Sequence, residues 1–210
     1  MHREDPEMSH LAPEKPKLRR TPHEEVGPMY PVQKPVDRGY DLTVNPKTGE
    51  RAAGQILYLS GRVLDTDGNA IVGARVELWQ TNMHGRYAHP ADPNPAALDG
   101  NFEGFGSTLS DGGGRYAFKS IKPAAYPASA PGWWRPPHIH FDVQTDYNRL
   151  FTQMYFPGDP LNDKDLLIAR HRAIGDGELI VAKPGPLPPQ AEPGAIALTF
   201  DLVLNARRSL

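Results

Sequence analysis

The chain has 210 residues, with 23 lysines and arginines against 25 aspartates and glutamates; a formal charge of −2 gives no reason to expect a nucleic-acid or anionic-membrane partner. Twenty-three prolines and 20 glycines favour short strands joined by many turns. There is no cysteine, which excludes disulfides and thiolate metal ligands and leaves His, Tyr, Asp and Glu to hold any metal.

A chain of this length suits one domain, and folding at this size buries roughly 70% of the unfolded surface. Residues 1–51 are polar and proline-rich without sustained periodicity. They are expected to form an extended arm that wraps the domain or reaches a neighbouring subunit, leaving 52–210 as the β-sandwich domain. The N-terminus carries no apolar signal segment and no stretch approaches a membrane span, so the expected location is cytoplasmic. Ile56–Leu64 reads as a strand, Asp65–Asn69 as a turn and Ala74–Gln80 as a second strand. Residues 81–105 are loop-like. Ser107–Ser110, the turn Asp111–Gly114 and Arg115–Ile121 read as a hairpin-like pair, since the glycines lack the strand-to-helix context of a phosphate loop. His138–Gln144 and Leu150–Phe156 follow as strands. Asp163–Arg172 reads as a short helix with Asp163 as N-cap. After a proline-rich loop, Pro184–Pro193, the segment Ile196–Leu204 reads as the last strand. Short strands with turn chemistry between them predict an all-β fold, an antiparallel β-sandwich with long loops.

One motif in this frame carries chemistry. Trp134-Arg135-Pro136-Pro137-His138-Ile139-His140-Phe141 places two histidines two residues apart on a strand. Both then project from one face, close enough to grip a single metal ion. Two isolated tyrosines stand upstream: Tyr87 after Gly85-Arg86, and Tyr126 in Ala125-Tyr126-Pro127. A free tyrosine titrates near ~10, and a trivalent ion beside the oxygen would hold it deprotonated at neutral pH. Two phenolates, a hydroxide and two neutral imidazoles would balance Fe(III), a hard cation, in a shell that can exchange ligands. The bland reading stays open at this point: loop tyrosines are commonly surface or capping residues.

Several segments together carry a resemblance. In order and spacing, Val76-Glu77-Leu78-Trp79-Gln80-Thr81-Asn82, Gly85-Arg86-Tyr87-Ala88-His89, Ile121-Lys122-Pro123 with Tyr126-Pro127, the Arg135-Pro136-Pro137-His138-Ile139-His140 run and Thr152-Gln153-Met154-Tyr155-Phe156-Pro157-Gly158-Asp159-Pro160 resemble the intradiol ring-cleavage dioxygenases, particularly the protocatechuate 3,4-dioxygenase branch. The likeness covers about half the chain, Leu57 to Asp159. It implies a β-sandwich holding non-haem Fe(III) through Tyr87, Tyr126, His138 and His140, with Tyr126 the ligand that leaves when substrate binds. It implies a catecholic substrate and O2. Arg135 and Gln153 would stand beside the substrate ring, and Trp79 matches a tryptophan near the pocket. Thr21-Pro22-His23-Glu24-Glu25-Val26-Gly27-Pro28 is similar to the family's arm, whose Gly27 and Pro28 would line the pocket. Pro127 is followed by Ala128-Ser129-Ala130 where the branch can carry an aromatic, which leaves the ring substituent open. Arg149 and Arg86 are the candidate partners for a substrate carboxylate. Such enzymes are often built from two homologous chains, so the expected assembly is a homo-oligomer or a hetero-oligomer with a homologous chain.

Two rivals explain less. A transthyretin-like or adhesin-like binding module accounts for the strands but not for the histidine pair with its tyrosines. A cupin would want a glutamate shortly after His140, and residues 141–146 read Phe-Asp-Val-Gln-Thr-Asp.

Overall fold

The computed structural model describes residues 17–32, 34, 39–128 and 130–206. The first sixteen residues of the expected arm, its positions 33 and 35–38, Ser129 and the last four residues lie outside them. The strands are β1 (Ile56–Asp65), β2 (Arg75–Trp79), β3 (Phe105–Leu109), β4 (Arg115–Ile121), β5 (Tyr126–Pro127), β6 (Trp134–Arg135), β7 (His138–Gln144), β8 (Arg149–Tyr155), β9 (Lys183–Pro184), β10 (Ile196–Thr199) and β11 (Leu202–Leu204); an eight-residue helix, α1, spans Leu166–Ala173.

Two sheets form the sandwich. In one, β1 is flanked by antiparallel β4 on one edge, while β10 and β11 run parallel to it on the other, with β9 outside β10. In the second the order is β3-β2-β7-β8, all antiparallel. Leu57, Leu59, Val63 and Phe118 from the first sheet meet Val76, Leu78, Ile139, Phe141, Val143 and Met154 from the second in one apolar core. Each such side chain contributes about 1.5–3 kcal/mol by leaving water. No helix among the described residues is long and apolar enough to cross a membrane.

Three local expectations change. Residues 107–121 are not a hairpin: β3 pairs with β2 and β4 with β1, so the turn at Asp111–Gly114 carries the chain from one sheet to the other. The local turn chemistry is there, with Asp111 accepting from the amides of Gly113 and Arg115, but the Gly114 carbonyl takes the Val63 amide and fastens the turn to β1. The helix begins after Asp165, whose carboxylate accepts from the amides of Leu167 and Ile168 at 3.0 Å. Asp163 instead ends a 3-10 turn and pairs with Arg172. A cap that satisfies two orphan amides wins over one placed earlier.

The last strand is interrupted at Phe200–Asp201 although β10 and β11 keep the same register on β1. There the Phe200 carbonyl lies over Gly61 and accepts the Tyr116 hydroxyl at 2.5 Å, while the Asp201 carboxylate takes the Arg62 amide. A Cβ on Gly61 would stand 1.9 Å from the Phe200 oxygen. Gly61→Ala is therefore expected to cost about 1–3 kcal/mol and lower the melting temperature by about 3–10 °C. Thermal unfolding of the variant checks this, and an unchanged midpoint would show that the break does not depend on Gly61.

Candidate metal centre

The site lies on the outer face of the β2-β7-β8 sheet. Along β7, Ile139, Phe141 and Val143 enter the core, so alternation sends His138, His140 and Asp142 the other way. Register then aligns Trp79, His140 and Gln153 across three strands, Glu77, Asp142 and Phe151 beside them, and His138 with Tyr155. This face is as dry as the core: His138, His140, Gln153 and Tyr155 are all at most 4% exposed.

The arm supplies the cover. The Thr21 amide donates to Val203 O at 3.0 Å and the Glu24 amide to Phe151 O at 2.8 Å, leading the chain across the edge of β8. Gly27 lies against His140, with a hypothetical Cβ 3.5 Å from the ring Cε1, whereas Pro28 beside it is exposed. Tyr30 meets Trp79 edge-on at 4.9 Å between centroids, and Trp79 stacks on His140 at 4.8 Å and 12°.

Two loops bring the tyrosines to this face. The Asn82 side chain accepts the amides of His84 and Arg86, and Gly85 has φ +79° with Ala125 O where a Cβ would sit, at 2.4 Å. Only glycine allows the turn before Tyr87 to close against the segment before Tyr126. Tyr126 belongs to β5, paired with β6 in register with Arg135.

Four atoms converge. Tyr87 Oη lies 3.0 Å from His140 Nε2, the two histidine Nε2 atoms are 3.2 Å apart, Tyr126 Oη is 3.4 Å from His138 Nε2, and the two hydroxyls are 3.5 Å apart. Donor atoms held about 2.0–2.2 Å from one ion stand about 3.0–3.5 Å from each other at bond angles between square and tetrahedral. His138 Nδ1 donates to Pro136 O at 2.7 Å, which leaves a bare lone pair on its Nε2. Burial, with Arg135 nearby, pushes His140 down to about 3 and His138 well below its ordinary value, so both rings are neutral. Burial raises Tyr87 well above the usual phenol range and raises Tyr126 as well. Phenolates here therefore require a cation in contact. The donor set and spacing fit such an ion.

Beside these atoms Arg135 is 7% exposed. Its Nε donates to Asp165 at 2.8 Å, and one terminal nitrogen donates to Gln153 Oε1 at 2.6 Å and to the Tyr155 hydroxyl at 2.8 Å. All of Tyr87, Tyr126, Arg135, His138, His140, Gln153 and Trp79 thus gather at one place, with Gly27 above. The two carboxylate candidates behave otherwise. Arg149 donates to Asp142 through Nε and one terminal nitrogen, at 3.0 and 2.9 Å, and Arg86 donates to Ala96 O. Sequence reasoning missed Asp165, Tyr155 and Glu24. Tyr155 lies on the site face two positions from Gln153, a signal that alternation alone could have read.

Residues 26–206 match the family model described as Dioxygenase. The protocatechuate 3,4-dioxygenase beta chain of Burkholderia cepacia is 39% identical over 206 residues, covering 94% of this chain and 83% of that one. Catechol 1,2-dioxygenase of Acinetobacter baylyi is 30% identical over 167 residues, 73% of this chain, which spans only 52% of the relative. Among solved structures, hydroxyquinol 1,2-dioxygenase from Pseudomonas putida DLL-E4 superposes with a TM-score of 0.68 at 25% identity, over 90% of this chain and 67% of that one.

The neutral imidazoles make a pH prediction. Their folded values lie below the unfolded 6.5, so the unfolded chain takes up the protons; this contribution to stability is full above pH 6.5 and is lost as pH falls toward His140's value near 3. With a chelator present, wild type should lose stability between pH 6 and 4 more steeply than His138→Gln/His140→Gln, by up to about 1.4 kcal/mol per pH unit for each histidine. Equal slopes in denaturant titrations of the two proteins would contradict the neutral pair.

Proposed function

We propose that this chain, which belongs to the intradiol ring-cleavage dioxygenase family, opens protocatechuate between its two hydroxylated carbons with O2, giving 3-carboxy-cis,cis-muconate. The observation that carries this reading is the convergence of two imidazole nitrogens and two phenol oxygens on one dry face beside a fixed guanidinium. Tyr87, Tyr126, His138 and His140 would hold Fe(III). When bound, that ion supplies a Lewis acid for the catechol oxygens and draws electron density from the ring, which makes a ring carbon reactive toward O2.

The chain's own groups do the rest. A catechol gives up two protons on binding: Tyr126 Oη, whose phenol form burial favours, takes one, and the hydroxide that the catechol would displace takes the other and leaves as water. The Arg135 guanidinium stabilises negative charge on the attacked ring carbon, and a fixed cation in a dry site is worth several kcal/mol there. Gln153 and Tyr155 hold it in place. Trp79 fixes the His140 ring by stacking, and Gly27 in the arm shields the face from water. Protocatechuate is chosen on the likeness to the Burkholderia beta chain. The likeness to a beta chain supports an oligomer with a homologous chain, while the arm, lying against its own chain's His140, covers the face from within the chain.

The purified, iron-loaded protein should show a broad visible tyrosinate-to-iron band that shifts on anaerobic addition of protocatechuate. A band that shifts with catechol but not with protocatechuate would reassign the substrate; a colourless protein that refuses iron would sink the reading. Tyr126→Phe should keep iron and lower kcat about 10²-fold, and His138→Ala should abolish iron binding, both measured by metal analysis and oxygen uptake.

A further inference from the structure

Arg135 sits in a two-residue strand, so its backbone does little to aim a long side chain. What fixes the guanidinium is its partners, and the one that carries charge and makes a hydrogen bond to it is Asp165, fully buried. This aspartate also begins α1. Its Oδ1 accepts from the amides of Leu167 and Ile168 while its Oδ2 accepts from Arg135 Nε. We propose that Asp165 is the positioning residue for Arg135, one carboxylate that caps α1 with one oxygen and aims the guanidinium at the reacting ring with the other.

Capping alone does not explain the residue. An N-cap needs a single accepting oxygen, and asparagine serves as well as aspartate. The second oxygen matters because Arg135 is a buried cation, and an anion held rigidly by a helix start gives it one position relative to Gln153 and Tyr155. The helix is itself held: His171 in its last turn bonds Glu24 of the arm at 2.7 Å. Asp165 is thus the point where the helix and the wall of the site meet. The inference rests on the functional reading above, in which Arg135 acts on the ring.

A double-mutant cycle on the iron-loaded full chain tests it, with turnover of protocatechuate, and of catechol as a second probe, read alongside the visible band. Asp165→Asn should keep the band and lower kcat about 10- to 100-fold, the usual result of displacing a catalytic group by about 1 Å. In an Arg135→Met background the same substitution should change kcat less than about twofold. A purely structural Asp165 would lower kcat by the same factor in both backgrounds, and that result, or full activity of Asp165→Asn, overturns the proposal. If Asp165→Asn does not fold, Asp165→Glu, which keeps the charge but moves it by one methylene, takes its place in the cycle. A wild-type chain without the band and without turnover of either catechol overturns the functional reading instead. The crystal structure of the Asp165 variant then still decides the positioning: a guanidinium withdrawn from Gln153 and Tyr155 supports it, and an unmoved one sinks it.

Discussion

β7 is dry on both faces, and the rest of the site follows from that constraint. One face is core; the other carries His138, His140 and Asp142, which water would ordinarily solvate. A carboxylate on such a face needs a cation in contact, because an unpaired buried charge costs far more than a pair gains. Three buried acids among the described residues have such a cation, Glu77 with Lys34 at 2.5 Å, Asp142 with Arg149 and Asp165 with Arg135, while Glu24, which burial pushes up, is hydrogen-bonded to His171. Lys34 and Glu24 both come from the arm. The arm is therefore part of the electrostatic closure of the sheet as well as its lid, and Tyr30 adds a hydrogen bond to Asp142 at 2.9 Å.

The same dryness sets the protonation of the cage. Burial drives the imidazoles toward neutral and the phenols toward neutral, so four uncharged donors face one another across 3.0–3.5 Å. Arg135 then contributes a fixed positive charge that disfavours imidazolium and favours phenolate. The two rings are oriented by different means. His138 is set by a hydrogen bond to Pro136 O, which also fixes its tautomer. His140 has no hydrogen-bond partner on Nδ1 among the described residues and is held by the Trp79 stack instead. Trp79 in turn is braced by Tyr30, so the arm reaches the second histidine through two aromatic contacts.

What the sequence disclosed divides along a physical line. Period-2 alternation is local, and it showed β1, β2, β7, β8 and the shared face of His138 and His140. Partners distant along the chain have no such signature. The Ser107–Ile121 segment carries genuine turn chemistry, yet its strands join different sheets because β1 offers β4 an edge. Asp165 lies 30 residues from Arg135, and Glu24 lies 147 from His171; nothing in composition links them. Three aspartates near the helix start compete as caps, and only backbone geometry shows that Asp165 satisfies two amides. The ordered tyrosines and histidines were legible through resemblance, whereas spacing alone left Tyr87 and Tyr126 as ordinary loop residues.

The two tyrosines are not equivalent, and the difference bears on which of them can leave. Tyr87 is 4% exposed, its amide donates to Asp92 at 2.7 Å, and its hydroxyl lies 3.0 Å from His140. Tyr126 is only partly buried, belongs to a two-residue strand, and keeps 3.4–3.5 Å from its neighbours in the cage. A residue held by a short ladder and looser contacts is cheaper to move than one anchored at both backbone and ring. Tyr126 is also in register with Arg135, so a shift in β5 would reach the backbone of β6, whereas the guanidinium at the far end of the side chain is held by Asp165. If Tyr126 departs when a catechol arrives, Arg135 must stay: both sit on two-residue strands paired with each other, and Arg135 is tied besides to a helix cap.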